Sequence, residues 1–288
     1  MIIIENKTHQ AAIHLQAGEL HHLIDKQTGV DYIHDGNPKH WSGRNPTLFP
    51  KVGKSYQNTQ LIHGKQYAMG NHGFARYGLF TLVSQTDCKV VLELRSNEQT
   101  LAQYPFAFRM RKSYELQGSK MVIRHEIYND GDEMMPFTIG HHPAFRCPLL
   151  PEESMSEYAI VFDQMEKMEV CNYDADGFLL EGYTAIESEQ SKSLQLPFER
   201  YGIDSLTFDQ LSSSYVSMTG PKHGVRVNCI GHPVVTLWPK DDRTFLCIEP
   251  WLSTSDDAGY SGAFQDKKGM IWLEPGRCFV NTYEFEVF

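Results

Sequence analysis

The chain has 288 residues, 41% hydrophobic and 12% aromatic, enough apolar material for a large core without a disulfide or metal staple. A net charge of -10 with no basic block excludes a nucleic-acid surface, which needs clustered cations. No stretch reaches the roughly 18 consecutive apolar residues of a membrane span, and MIIIENKTHQ lacks the apolar run of about 7–15 residues of a secretory leader. No membrane partner is therefore expected, and the expected location is cytoplasmic.

Residues 11–33 read as short strands broken by turns at Gly18 and Gly29. Residues 43–54, GRNPTLFPKVGK, set Arg44, Lys51 and Lys54 between prolines and glycines but lack the phosphate-loop spacing, so nucleotide binding is rejected. Residues 68–78, AMGNHGFARYG, place His72 between Gly70 and Gly73, which permit close backbone approach, with Arg76 four residues on. Arg76 is a candidate contact for a hydroxyl, carboxylate or phosphate. CKVVLELRS at 88–96 reads as a strand. From 106, FAFRMRKSYELQ sets Phe106, Phe108, Met110, Tyr114 and Leu116 on one face and polar residues on the other, the period of a half-buried strand. Gly118-Ser119 then predicts a two-residue hairpin into the strand KMVIRHEIYN, which NDGD closes.

Helical candidates are few and short, the best being PEESMSEY after Leu150 and residues 199–211, and ESEQSKSLQ at 187–195 reads as a polar loop. GVRVNCI, PVVTLW, TFLCIE and the terminal CFVNTYEFEVF are further strands. Without a linker, repeat or low-complexity tract, residues 1–288 are expected to form a single domain. The expected fold class is all-β, a large antiparallel β-sandwich with few short helices. The six cysteines, Cys88, Cys147, Cys171, Cys229, Cys247 and Cys278, show no C-x-x-C pair and read as reduced, mostly buried thiols.

Three stretches carry the chemistry. FTIGHHPAF puts His141 and His142 side by side; in an extended chain they point to opposite faces, and Pro143 holds His142 extended. One imidazole therefore faces a cleft while the other packs. Glu249, between TFLCI and PW, is placed at or near a strand end, with Pro250 marking where regular pairing stops. Desolvation beside Trp251 would raise its pKa into the range of a general base, the alternative being an arginine-paired glutamate at the sheet margin. Likewise, His141 and His142 are either acid–base groups or hydrogen-bonded scaffold. The sequence lacks a G-x-S-x-G elbow, an H-E-x-x-H helix and a dinucleotide-binding glycine motif. The thirteen histidines show no metal-ligand spacing, so neither a metal nor a cofactor is expected. Two histidines, a glutamate and aromatic walls suit the opening of a sugar hemiacetal. A base takes the anomeric hydroxyl proton, an acid protonates the ring oxygen, and reclosure from the other face inverts the anomer.

NPTLFPKVG, HGFARYGLF, IGHHPAF, TLWP before FLCIEPW, and SDD occur in that order and together resemble the aldose 1-epimerase (galactose mutarotase-like) family, in its LacX-like branch. The resemblance runs from about Ala11 to Phe288 and implies a β-sandwich with a sugar cleft on one concave sheet. It implies Glu249 as general base, His142 as general acid and His72 as a contact to the reacting oxygens. It further implies Asp204, in YGIDSLTF, and Arg44 as sugar contacts. Where galactose mutarotases carry NHTYF and ETQ this chain has HHPAF and EPW, so pocket walls and sugar preference do not carry over. The expected function is interconversion of hexose anomers, the partner being a small-molecule sugar or sugar phosphate. Two alternatives stay open: a hexose-6-phosphate 1-epimerase using Arg44, Lys51, Lys54 and Arg76, and a non-catalytic carbohydrate binder stacking sugar on Trp238 and Trp251.

Overall fold

Period-two alternation in the chain becomes two large antiparallel sheets. The protein is described by a computed structural model covering residues 1–201, 205–239 and 244–288. A nine-stranded sheet runs, in spatial order, Ser191–Gln195, Ala159–Glu166, Tyr215–Thr219, Gly224–Asn228, Cys278–Val287, Lys120–Asn129, Phe108–Gln117, Lys89–Arg95 and Thr81–Gln85. Beside its central strand, Cys278–Val287, lies the predicted hairpin, in which Gln117 pairs with Lys120 and Gly118 takes φ +65°. A smaller sheet orders Leu206–Phe208, Val234–Pro239, Phe245–Trp251, Gly140–His141 and Thr47–Leu48, with Ala144–Arg146 also on Phe245–Trp251. The N-terminal strands Ile2–Glu5, His9–His14 and Glu19–Asp25 form a third sheet.

The two large sheets pack face to face. Phe145 lies edge-on to Phe285 at 5.0 Å between centroids, and His141 stacks on Tyr283 at 4.1 Å. The interface is not wholly apolar. His141 Nε2 meets Asn281 Oδ1 at 2.6 Å, His125 Nε2 meets Thr47 Oγ1 at 2.9 Å, and Tyr283 O–H donates to Asn45 Oδ1 at 2.7 Å. Lys112, on the buried face of its strand between Met110 and Tyr114, reaches the Asn45 carbonyl at 3.4 Å, and burial lowers its pKa to about 7. Buried polar groups must find partners in place, so this layer fixes how the sheets register.

Three local expectations are corrected. PEESMSEY forms only the 3₁₀ turn Met155–Glu157, and 199–211 contains the strand Leu206–Phe208, recruited by pairing with Val235–Leu237. Residues 187–195 include the strand Ser191–Gln195 rather than loop alone. Among the described residues the α-helix is the single turn Glu98–Leu101, capped by Asn97, and no helix is long and apolar enough to cross a membrane. All six cysteines are free; Cys147, Cys171, Cys229 and Cys247 are buried, Cys88 is partly buried and Cys278 is exposed.

Candidate active site

The site grows on the outer face of the smaller sheet. Along Phe245–Trp251 the even residues Leu246 and Ile248 enter the main core, so Phe245, Cys247, Glu249 and Trp251 share the opposite face. Glu249 lies near the strand end, but pairing does not stop at Pro250 as expected: Glu249 pairs with Thr236, and Pro250 and Trp251 continue the ladder on Val235 and Val234. Alternation explains the tolerated proline. The Ile248 N–H donates to Pro143 and that of Leu252 to Ile139, so the Pro250 nitrogen faces the same edge, at the gap in pairing around His141–Pro143.

The same register places the imidazole. Ala144 pairs with Cys247 and Gly140 with Trp251, which sets His142 directly across from Glu249 on one face. His142 Nε2 lies 3.3 Å from Glu249 Oε2, both side chains being buried. The approach is off the hydrogen-bonding direction and leaves Glu249 Oε2 without a hydrogen-bond partner; His142 Nδ1, on the other side of the ring, has none either. The two groups are in contact, with no room for a sugar ring between them. His141 points the other way, into the sandwich, as extended backbone demands. Gly140 makes the packing possible, because a Cβ there would lie 2.6 Å from Trp251 Cδ1.

His72 arrives from a loop. It adopts φ +63°, an unusual left-handed conformation for a non-glycine residue. Its Nδ1 accepts from the Gly53 N–H at 3.0 Å, and its own N–H donates to the Gly53 carbonyl at 3.0 Å. Accepting at Nδ1 assigns the neutral ring's proton to Nε2, which is left as a donor. The ring stands 5.8 Å from that of His142 and 5.7 Å from that of Trp251. Trp41, from the loop preceding Arg44, stacks on His142 at 4.6 Å and meets Trp238 edge-on at 5.5 Å. A cleft of about 600 Å³ opens beside this group, lined by His72, Trp251, Thr236, Thr207, Asn71 and Lys54 among others.

Burial dominates the electrostatics. It pushes the Glu249 carboxyl well above the usual carboxylate range, with Arg76 and the Trp251 indole N–H pulling the other way. It holds His142 and His72 well below the usual imidazole range, and Arg76 adds to both effects. The proton of the Glu249–His142 pair therefore rests on the carboxyl, because two separated charges are poorly solvated there. The pair nevertheless holds the one proton that a carboxylate and an imidazolium would share.

Other predicted residues fall differently. The Arg76 charge reaches Glu249, His142 and His72, whereas that of Arg44 falls on Glu19, His21 and His34. The Arg44 guanidinium donates to the Asp35 carbonyl and lies against Gly36. Lys51 is buried, donating to the Gly53 carbonyl at 2.6 Å and Ser55 Oγ at 2.8 Å, and lines a separate cavity with Lys267 and Asp256. Lys54 lines the main cleft and donates to the Asp176 carbonyl at 2.5 Å. Of the four cations considered for a phosphate, Arg76, Lys51 and Lys54 all bring charge to His72, while Arg44 lies apart. Asp204 lies outside the described residues. The sequence reading missed Trp41, whose contact with His142 has no periodic signal. It also missed Cys247 as a neighbour of the pair, though its i, i+2 spacing from Glu249 would have placed both on one face. Although sequence spacing offered no metal ligands, the atoms His142, Cys247 and Glu249 would offer all lie within 4.8 Å of one another.

The family model for aldose 1-epimerase matches residues 1–259. The chain belongs to that family. The family is one of isomerases, and this member is accordingly an enzyme with a sugar substrate. Protein LacX of Lactococcus lactis subsp. lactis, in its plasmid and chromosomal forms, is 32% identical over 282 residues, covering 94% of this chain and 93% of the relative. A galactose mutarotase related enzyme from Lactobacillus acidophilus superposes with TM-score 0.92 at 25% identity, over 100% of this chain and 97% of that one. A galactose mutarotase-like protein from Lactobacillus casei ATCC 334 gives TM-score 0.92 at 25% identity, covering 100% of both chains. A putative aldose 1-epimerase from Escherichia coli K12 shares the fold at TM-score 0.77 and 15% identity, over 99% of this chain and 98% of the other.

Proposed function

We propose that this aldose 1-epimerase family member interconverts the α- and β-anomers of a free hexose, the whole chain acting as one domain. Glu249 takes the proton of the anomeric hydroxyl, His142 protonates the ring oxygen, and His72 donates from Nε2 to the reacting oxygens. The observation that carries the reading is the buried His142–Glu249 contact at 3.3 Å, one proton for two groups, behind His72 and Trp251, which line a sugar-sized cleft. Ring opening and closing needs one acid and one base whose roles exchange between the two half-reactions, and a coupled pair holding a single proton supplies both. To admit a sugar the His142 ring swings away from Glu249. Hydroxyl contacts and the Arg76 charge then favour the carboxylate, and the proton passes to the imidazole. Arg76 and Trp251 serve as further sugar contacts, the indole offering a flat apolar face. Asp204 and Arg44 are kept as sugar contacts on the family resemblance alone.

Lys54 in the cleft, with the Arg76 charge nearby, favours a second reading, turnover of a hexose 6-phosphate. Against it, Lys51 and Arg44 engage elsewhere. A pure binder has no use for a shared proton in a buried pair. The experiment is polarimetry on freshly dissolved α-anomers, free and 6-phosphorylated. Acceleration of free hexoses above the spontaneous rate is expected. Acceleration of the phosphorylated sugars alone would replace the proposal by the second reading, and saturable sugar binding without acceleration would leave a binder.

A further inference from the structure

Cys247 has no task in anomer exchange, yet it sits two residues from Glu249 on the same strand face and diagonal to His142. We propose that His142, Cys247 and Glu249 form a three-ligand site for one thiophilic divalent cation of the zinc class, and that the bound ion excludes sugar from the acid–base pair. The donor set decides the class. An imidazole nitrogen, a thiolate and a carboxylate oxygen match zinc and its borderline-soft neighbours, whereas calcium and magnesium take oxygen ligands. Three protein ligands leave one coordination position open, as in zinc sites that bind small molecules.

Geometry sets what must move. The three ligand atoms lie within 4.8 Å of one another, and His142 Nε2 and Glu249 Oε2 stand at 3.3 Å. Bond lengths of about 2.0–2.3 Å imply tetrahedral edges of roughly 3.3–3.8 Å, so a side-chain adjustment of about an ångström closes the set. Two ligands are held on one continuous strand and the third by the register across from it, so backbone rearrangement is unnecessary. The carboxyl oxygen Oε2 lacks a hydrogen-bond partner, which lowers what a metal ion must displace. Arg76 opposes a cation here. A thiolate and a carboxylate together neutralise the ion's two charges. Forming the site replaces the S–H and carboxyl O–H protons by metal bonds and releases both to solvent, so affinity rises with pH. The ion would occupy both groups assigned to chemistry. That inhibitory consequence rests on the anomer-exchange reading; the binding itself does not.

The test titrates the intact protein with cobalt(II) and zinc(II) near neutral pH under a phosphine reductant. One cobalt per chain with a near-ultraviolet thiolate-to-cobalt band is expected, lost in Cys247→Ser and Cys247→Ala; the alanine variant serves should the serine hydroxyl prevent folding. Zinc should inhibit the wild type reversibly by chelator. In the cysteine variants, each compared with its own metal-free rate, inhibition should be about tenfold or more weaker, since losing even a group that only orients a ligand costs about 10–100-fold in affinity. A wild type without the thiolate band, or zinc inhibition unchanged by both substitutions, overturns the proposal. Were no sugar turned over, the cobalt band would still decide the site while the anomer-exchange reading failed separately.

Discussion

Replacing Glu249 by glutamine should move chemistry and stability in opposite directions. The carboxyl is 1% exposed, and burial raises its pKa well above 4.5. Glutamine keeps the shape and can still hydrogen-bond, but it cannot accept the anomeric proton. Loss of a positioned base lowers turnover by about 10²–10⁴-fold, equivalent to roughly 3–5 kcal/mol of barrier. Stability runs the other way. Because the folded pKa exceeds the unfolded one, the contribution of the neutral carboxyl is complete below pH 4.5 and is lost as pH rises towards the folded pKa. That loss proceeds at up to about 1.4 kcal/mol per pH unit. Glutamine escapes it, so the variant should gain on the wild type from about pH 5 upwards, each kcal/mol appearing as roughly 2 °C in Tm. Polarimetry and denaturant melts at three pH values measure both quantities. Turnover within about tenfold of wild type, or a stability difference that stays flat with pH, refutes the reasoning.

His142→Asn should lower turnover by about two orders of magnitude while sugar still binds, and near-normal polarimetric rates would remove the acid assignment. Arg76→Ala should raise KM far more than Arg44→Ala, because the Arg76 charge reaches the pair and that of Arg44 does not; equal effects would restore Arg44 to the site. The native state should weaken in acid. Burial lowers the pKa of His72, His125, His141 and His142, so the stability of their neutral forms is present above about pH 6.5 and is lost as pH falls towards the folded values. The raised carboxyls of Glu249 and Glu19 act in the opposite sense, but burial also lowers His9, His21, His34 and His232, so eight histidines against two carboxyls give net loss. Denaturant midpoints that do not fall from pH 7 to about pH 5 would contradict this. Asn281→Ala, which strands the His141 Nε2 inside the sandwich, should cost about 1–3 kcal/mol in the same measurement.

How much was legible follows from the range of each signal. Alternation such as that of Phe108–Gln117 is local, and it yielded the strands and the all-β class. The Gly118 turn was equally local. The helix expectations failed where a distant partner decided: Leu206–Phe208 is a strand because Val235–Leu237 offers it a ladder. Pro250 was read as a strand end because a proline's missing donor says nothing about which edge it faces. In the site, opposite faces for His141 and His142 followed from extended geometry. Their distinct surroundings did not, nor did Trp41 over His142, since a stacking contact across about a hundred residues leaves no trace in spacing. Arg44 was placed by motif, and its guanidinium turns to a carbonyl in its own loop.

The clustering of indoles around the imidazoles also equips the protein with an optical probe. Trp41 and Trp238 contact His142 and Trp251 contacts His72, while Trp272, the fourth, stands half in solvent. Indole emission is quenched by an adjacent protonated imidazole, and ring displacement alters it as well. Occupancy and proton transfer at the reacting centre can therefore be followed as ultraviolet fluorescence, without a label, on the unmodified chain.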